Sequence, residues 1–171
     1  MTGGLRPVRR VVVALDGAGQ PRVVADGPSP HVHTLPGLPP DLGLTDLWYT
    51  DGAPTDRSTD DPAARELSVA PGAGGTLFRV VQFPPDTELP TDDRGAPALF
   101  WHETPTVDYN VVLDGELWLL TEHAQVHLGP LDVIVVRGGR HAWSNRTTSP
   151  AILATVGVGV GAELNRSDEV E

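Results

Sequence analysis

Glycine and proline interrupt this chain so often that no long helix can form in it. There are 19 Gly and 17 Pro in 171 residues, and they are spread throughout. Proline is tolerated only in the first turn of a helix, and glycine weakens a helix interior. No window carries a sustained helical period, and only 61–69 has room for a single helical turn. The apolar runs between the breaks are short and rich in Val, Leu and aromatics, as half-buried strands are. The spacing predicts strands near 10–14, 22–25, 44–49, 76–83, 98–104, 108–113, 116–121, 125–128, 132–136, 141–145 and 151–158. Many short strands at close spacing make an all-β sandwich or barrel. Polar, Pro/Asp-rich stretches at 50–65 and 84–97 break the pattern, and loops of that length in a compact domain are functional or mobile. The expected organisation is an N-terminal strand extension and linker (1–67), a barrel (68–158) and a C-terminal tail (159–171).

Composition narrows the chemistry. There is no cysteine, so disulfides, thiolate metal sites and cysteine nucleophiles are excluded together. There is no lysine either, since all twelve basic residues are arginine, which excludes a lysine Schiff base or general base. The net charge of −11 repels phosphate backbones, so nucleic acid is not an expected partner. The acidity also has a plain explanation in solubility. No apolar run approaches 20 residues, so no membrane span is expected. The apolar patch near the N-terminus is too short for a signal sequence, which makes a cytoplasmic location the expectation. Catalysis is left to carboxylates, hydroxyls, arginines, a bound metal and six histidines: His31, His33, His102, His123, His127 and His141.

The densest polar pattern is "LFWHETPTVDYNVVLDGELWLL", 99–120. His102, Thr104, Thr106 and Asp108 fall on alternate positions, and strand alternation sends such side chains to one face. That face is either a polar wall inside a barrel or a solvated outer surface. The following "VVLDGELWLL" has Asp-Gly between two apolar runs, a strong hairpin signal. Further on, "DVIVVRGGRHAWSN" gives a buried strand, a glycine corner, and a strand with His141, Trp143 and Asn145 on one face. If the two faces converge, His102, Asp108 and His141 offer two imidazoles and one carboxylate, a set that suits a first-row divalent metal.

These two stretches resemble the motifs of the cupin superfamily, a double-stranded β-helix (jelly-roll) barrel, over about 76–158. The first cupin motif is His-x-His, then Glu, then Gly; here His102, Thr104, Asp108 and Gly115 stand at those positions. The second is Gly-Asp, a glycine corner, His and Asn; here Leu131, Asp132, Gly138, His141 and Asn145 stand there. The resemblance implies a barrel pocket and, in most members, a metal held by three histidines and a glutamate. Thr104 replaces one of those histidines and Asp108 the glutamate, so the implied cofactor is either none or one divalent metal (Fe, Mn, Ni or Zn) on His102, Asp108 and His141, with no organic cofactor.

The function so implied is a small-molecule enzyme of the lyase, isomerase or cyclase kind, working by acid–base chemistry, with specialised metabolism as its expected setting. His141, Asp108, His102 and Tyr109 are the expected catalytic groups. Arg79, Phe100, Thr104, Trp143 and Asn145 are the expected substrate contacts, with Arg79 a natural anchor for a carboxylate. The alternatives are a metal-dependent oxygenase at the two-histidine, one-aspartate set and a non-catalytic binding protein. His31 and His33 are expected in a loop or surface strand, His123 in a solvated turn, and His127 facing outward. Trp101 and Leu99 are expected to point away from Phe100 and His102. A homodimer is expected, because pairing through sheet edges removes exposed strand edges.

Overall fold

A computed structural model describes residues 4–53 and 61–161. The elements are β1 (Arg9–Leu15), β2 (Pro21–Pro28), β3 (Val32–Thr34), β4 (Gly43–Thr50), β5 (Thr76–Phe83), β6 (Thr106–Asp114), β7 (Leu117–Thr121), β8 (Gln125–Leu128), β9 (Val133–Val136), β10 (His141–Ser144) and β11 (Ala151–Gly159). A single 3-10 turn, Asp86–Glu88, lies in the long loop after β5. The architecture is all-β, as the punctuation of the sequence requires, and no helix among the described residues is long and apolar enough to cross a membrane. The tail beyond Gly161 lies outside the described residues.

Two antiparallel sheets face each other. The larger has the order β3-β4-β5-β11-β6-β9 and the smaller β10-β7-β8, while β1 and β2 form a separate hairpin. Strand β11 is the spine of the larger sheet, paired with β5 along one side and β6 along the other. Val112, Leu117, Leu119, Leu128, Val136 and Leu153 pack between the sheets. Burying such side chains stabilises the fold by about 1.5–3 kcal/mol each. This core fills one part of the interior and leaves the rest as a cavity.

The N-terminal strands β3 and β4 extend the larger sheet beside β5. Asp46 on β4 stands opposite Arg79 on β5 in register. Their side chains form a two-pronged ion pair, Nε to Oδ1 at 2.8 Å and one Nη to Oδ2 at 3.1 Å, and the same Nη donates to the Ser68 carbonyl at 2.8 Å. Both side chains are buried, so each charge depends on the other to remain ionised away from water. The segment Leu5–Val8 crosses the opposite face of the same sheet, with Val8 packed against Leu47, Val80 and Ile152.

Two expectations from the sequence are corrected. The Asp-Gly turn at 114–115 is not a hairpin, because β6 and β7 belong to different sheets. It is a corner between the sheets: Gly115 has φ +73°, and a Cβ there would lie 2.8 Å from the Ala151 Cα and 3.0 Å from the Pro150 carbonyl oxygen. The segment 98–104 is not a strand. Leu99 and Trp101 donate their amides to carbonyls only two residues earlier, at 2.9 and 3.0 Å, which coils the chain too tightly for a ladder. Only His102 makes a bridge, to His141.

The Gly115→Ala variant tests the corner. The positive φ costs an L residue about 1–2 kcal/mol and the crowding against Ala151 about 1–3 kcal/mol more. Urea unfolding is expected to show a loss of about 2 kcal/mol or more, and a loss under 0.5 kcal/mol, within the usual range for an open surface site, would contradict the packing described.

Candidate functional site

The cavity between the sheets has a volume of about 420 Å³, within the range of small-molecule sites. Alternation along three strands of the larger sheet builds its wall. Leu77, Arg79, Val81 and Phe83 face inward from β5; Thr106, Asp108 and Asn110 from β6; and Leu153, Thr155 and Gly157 from β11. Thr104 continues the β6 row, and its hydroxyl lies 2.7 Å from that of Thr106, both being buried. The row of Thr104, Thr106 and Asp108 is therefore the wall of a pocket, which settles the choice between interior and solvated face.

His102 and His141 are brought together by reciprocal backbone hydrogen bonds, each amide donating to the other residue's carbonyl at 2.9 Å. Their rings lie 4.3 Å apart between centroids and are tilted by 56°. Each ring is oriented by a carbonyl two residues earlier in the chain. Nδ1 of His102 donates to Phe100 at 2.8 Å, and Nδ1 of His141 to Gly139 at 2.9 Å. A carbonyl oxygen only accepts, so the proton of each neutral ring sits on Nδ1 and the lone pair on Nε2. Both residues line the cavity. Burial pushes the pKa of His141 below its usual value, and the nearby His102 lowers it further. The Gly139 carbonyl and the charge of Asp108 act in the opposite direction. The net effect favours the neutral ring. Trp143 places its ring edge-on to His141, 6.5 Å away at 88°.

Asp108 faces Gly157 across the ladder. A Cβ on Gly157 would come within 3.1 Å of Asp108 Oδ1, so the glycine makes room for the carboxylate. Among the described residues no hydrogen-bond donor reaches either carboxylate oxygen of Asp108. Asn110 directs its amide NH2 to the carbonyls of Asp108 and Ile134, 3.4 Å from each.

Several expected site residues take different places. Tyr109 is on the outer face of β6 and 51% exposed, because its inward neighbours are Asp108 and Asn110 and alternation turns it outward. Asn145 is buried but not on the cavity wall. Its amide nitrogen donates to Phe83 and Ser149, and its oxygen accepts from the amide and hydroxyl of Thr147, so it shapes the loop after β10. Arg79 lines the cavity, but Asp46 and Ser68 hold one edge of its guanidinium. His102, Asp108 and His141 share the cavity without forming a metal-ligand cluster: among the described residues no group of three His, Asp or Glu is placed to hold an ion. Phe100, Thr104 and Trp143 line the cavity. Trp101 does so as well, beside Phe100 rather than opposite it, since the coiled segment does not alternate.

Residues that sequence reasoning missed come from the N-terminal part. Leu35, Leu42 and Leu44 form one side of the cavity, and Leu67 and Val69 flank it from the segment before β5. Their only signal is apolar character, which the core shares. His33, on β3, points its Nε2 toward Asp46 Oδ2 at 3.4 Å, and His31 bonds Asp61, which is also clamped by Arg10. His127 stacks on Trp118 and bonds Glu116 on the surface, and His123 is exposed.

The surroundings of His141 have a measurable consequence. A lowered pKa means that the unfolded chain takes up a proton before the folded one does. The neutral ring's contribution to stability is then complete above pH about 6.5 and declines as pH falls through the lower, folded value. Imidazole NMR titration is expected to give His141 a midpoint below that of a free histidine. Asp108→Asn should move it lower still, since the carboxylate favours the protonated ring. An unshifted midpoint, or a rise in the variant, would contradict this electrostatic account.

No family model matches the chain. It is 38% identical over 85 residues to phomopsin biosynthesis cluster protein C' of Diaporthe leptostromiformis, covering 47% of this chain and 40% of that protein. It is 38% identical over 73 residues to oryzines biosynthesis cluster protein J of Aspergillus oryzae, covering 42% and 35%. The matches thus span well under half the length of these curated relatives. Among solved structures, a putative ethanolamine utilization protein Q from Salmonella typhimurium superposes with a TM-score of 0.50 at 16% identity, over 93% of this chain and 100% of that one. The cupin domain of Cnp3 from Schizosaccharomyces pombe gives 0.50 at 14%, over 95% and 96%. Two facing antiparallel sheets, a glycine corner at each motif, and full-length likeness to these structures agree: the chain has the cupin fold.

Proposed function

We propose that this chain is a small-molecule enzyme of the lyase, isomerase or cyclase kind, with His141 as the proton-transferring base. The observation that carries the reading is the pair of oriented imidazoles with Nε2 lone pairs at an apolar cavity. A base must be unprotonated at working pH and its tautomer fixed; the burial of His141 favours the first and the Gly139 carbonyl fixes the second. His102, against the same ring, is placed to receive or return the second proton of an isomerisation. Asp108 stabilises positive charge that develops on His141 when it takes a proton, because its carboxylate favours the charged ring. Phe100 and Trp143 supply apolar surface for the substrate, and Thr104 a hydroxyl beside the imidazoles.

Cupin barrels often hold a divalent metal. Here the donors that fit are the two Nε2 atoms, since a metal-binding histidine commonly donates its other ring proton to a carbonyl. The remaining ligands do not fit. Thr104, at the position of the missing imidazole, is hydrogen-bonded to Thr106, and no carboxylate or third imidazole completes a ligand set with the pair among the described residues. The steps described above therefore use the chain's own groups.

The two relatives named for biosynthetic clusters agree with a role in specialised metabolism. The test is isotope exchange. The protein is incubated in D2O with a panel of mid-sized enolisable carbonyl compounds, hydroxyketones included, and loss of the acidic C–H signal is followed by NMR. Exchange is expected for at least one compound and should fall by about 10²–10⁴-fold in His141→Ala. Exchange that is absent from the whole panel, or unchanged in the variant, would contradict the reading.

A further inference from the structure

The polar wall of the cavity is unbalanced, and the imbalance specifies what it can bind. Around His102, His141 and Asp108 its free groups are mostly acceptors. Nε2 of His102 and Nε2 of His141 each present a lone pair, and the Asp108 carboxylate has no donor among the described residues. In the row of β6 the donors are largely used, while the Thr155 hydroxyl, the indole N–H groups of Trp101 and Trp143 and the second Nη of Arg79 have no partner among the described residues. Thr104 and Thr106 share one of their two hydroxyl protons between them, and the NH2 group of Asn110 lies against backbone carbonyls. Asp46 cancels the charge of Arg79, which leaves Asp108 as the net charge of the wall.

An anionic ligand would meet that carboxylate and two lone pairs in a site partly shielded from water, where like charges repel more strongly than in bulk. A ligand with hydroxyl protons would satisfy all three acceptors. A ligand that covered these acceptors without donating to them would cost about 1–3 kcal/mol for each one left unpaired.

The rest of the cavity specifies the other end of the ligand. Leu44, Leu77, Val81 and Leu153 form an apolar wall. Two coiled segments flank it with apolar side chains that remain in water, Leu67 (39% exposed) and Val69 (68%) on one, Phe100 (42%) and Trp101 (36%) on the other. Exposed apolar groups gathered at a pocket commonly mark a binding surface.

We infer that the ligand is an uncharged hydroxylated compound with an apolar body, its hydroxyl donated to His102, His141 or Asp108 and its apolar part lying along the leucine wall. This deepens the proposed function and rests on its assignment of the cavity as the ligand site. It also gives Arg79 a different role. The guanidinium secures the Ser68 carbonyl, and hence the segment bearing Leu67 and Val69, instead of anchoring a substrate carboxylate.

The probes are 4-propylbenzyl alcohol and 4-propylbenzoate, which share one skeleton and differ in the hydroxyl and the carboxylate. Dissociation constants are measured by calorimetry at neutral pH in buffer containing a chelator, so that no metal mediates binding. The alcohol is expected to bind more than about tenfold tighter, the equivalent of one net charge-assisted hydrogen bond. Asp108→Asn should weaken the alcohol and strengthen the benzoate. Equal or tighter binding of the benzoate, or binding of neither probe, would overturn the inference; loss of benzoate binding in Arg79→Met would assign it to that arginine. The two readings fail separately. Benzoate preference with isotope exchange intact removes only the ligand class, whereas alcohol preference without exchange removes only the acid–base chemistry.

Discussion

Strand β11 holds the site together, because it is hydrogen-bonded along its length to β5 on one side and β6 on the other. The three strands can slide relative to one another only by breaking both ladders, and a slip of one residue would turn every inward side chain outward. That fixed register puts Arg79, Thr155, Asp108 and Gly157 on the interior face together. It also makes one small residue matter: Gly157 sits opposite Asp108 and leaves space for its carboxylate. The chemistry of the cavity is therefore a consequence of strand pairing before it is a property of any single side chain.

The second constraint is the reciprocal bridge between His102 and His141. It joins a coiled segment to the edge of the smaller sheet and brings two imidazoles from distant parts of the chain into contact. Each ring's tautomer is then set by a carbonyl close to it in sequence. Long-range pairing supplies the proximity and local geometry supplies the orientation, so neither is left to the flexibility of the side chains.

Much of this was legible in the sequence. Ten of the eleven strands expected from the apolar runs have counterparts, because dense Gly and Pro leave few other ways to satisfy the backbone. The alternation of Thr104, Thr106 and Asp108 marked a wall. What failed had physical causes. The Asp-Gly signal describes a turn but not which sheet each strand joins, and here the strands separate. The run at 98–104 is apolar enough for a strand, yet its amides bond to carbonyls two residues back. Tyr109 has the chemistry of a catalytic group, but the alternation that places Asp108 inside places Tyr109 outside. Asn145 is a motif residue whose hydrogen bonds shape its own loop and tie it to the end of β5, away from the cavity. The contribution of Leu35, Leu42 and Leu44 was hidden because a pocket-lining leucine and a core leucine look alike in sequence.

The central claim is that both histidines present a free Nε2 to the cavity. Long-range proton–nitrogen correlation spectra of protein labelled with nitrogen-15 in its histidines read this directly, with His102→Ala and His141→Ala providing assignments. At neutral pH, His141 should show a protonated Nδ1 and an unprotonated Nε2, and the neutral form of His102 should show the same tautomer. A proton on Nε2 of His141, whether as the other tautomer or in a charged ring, would remove the base, the acceptor wall and the account built on them.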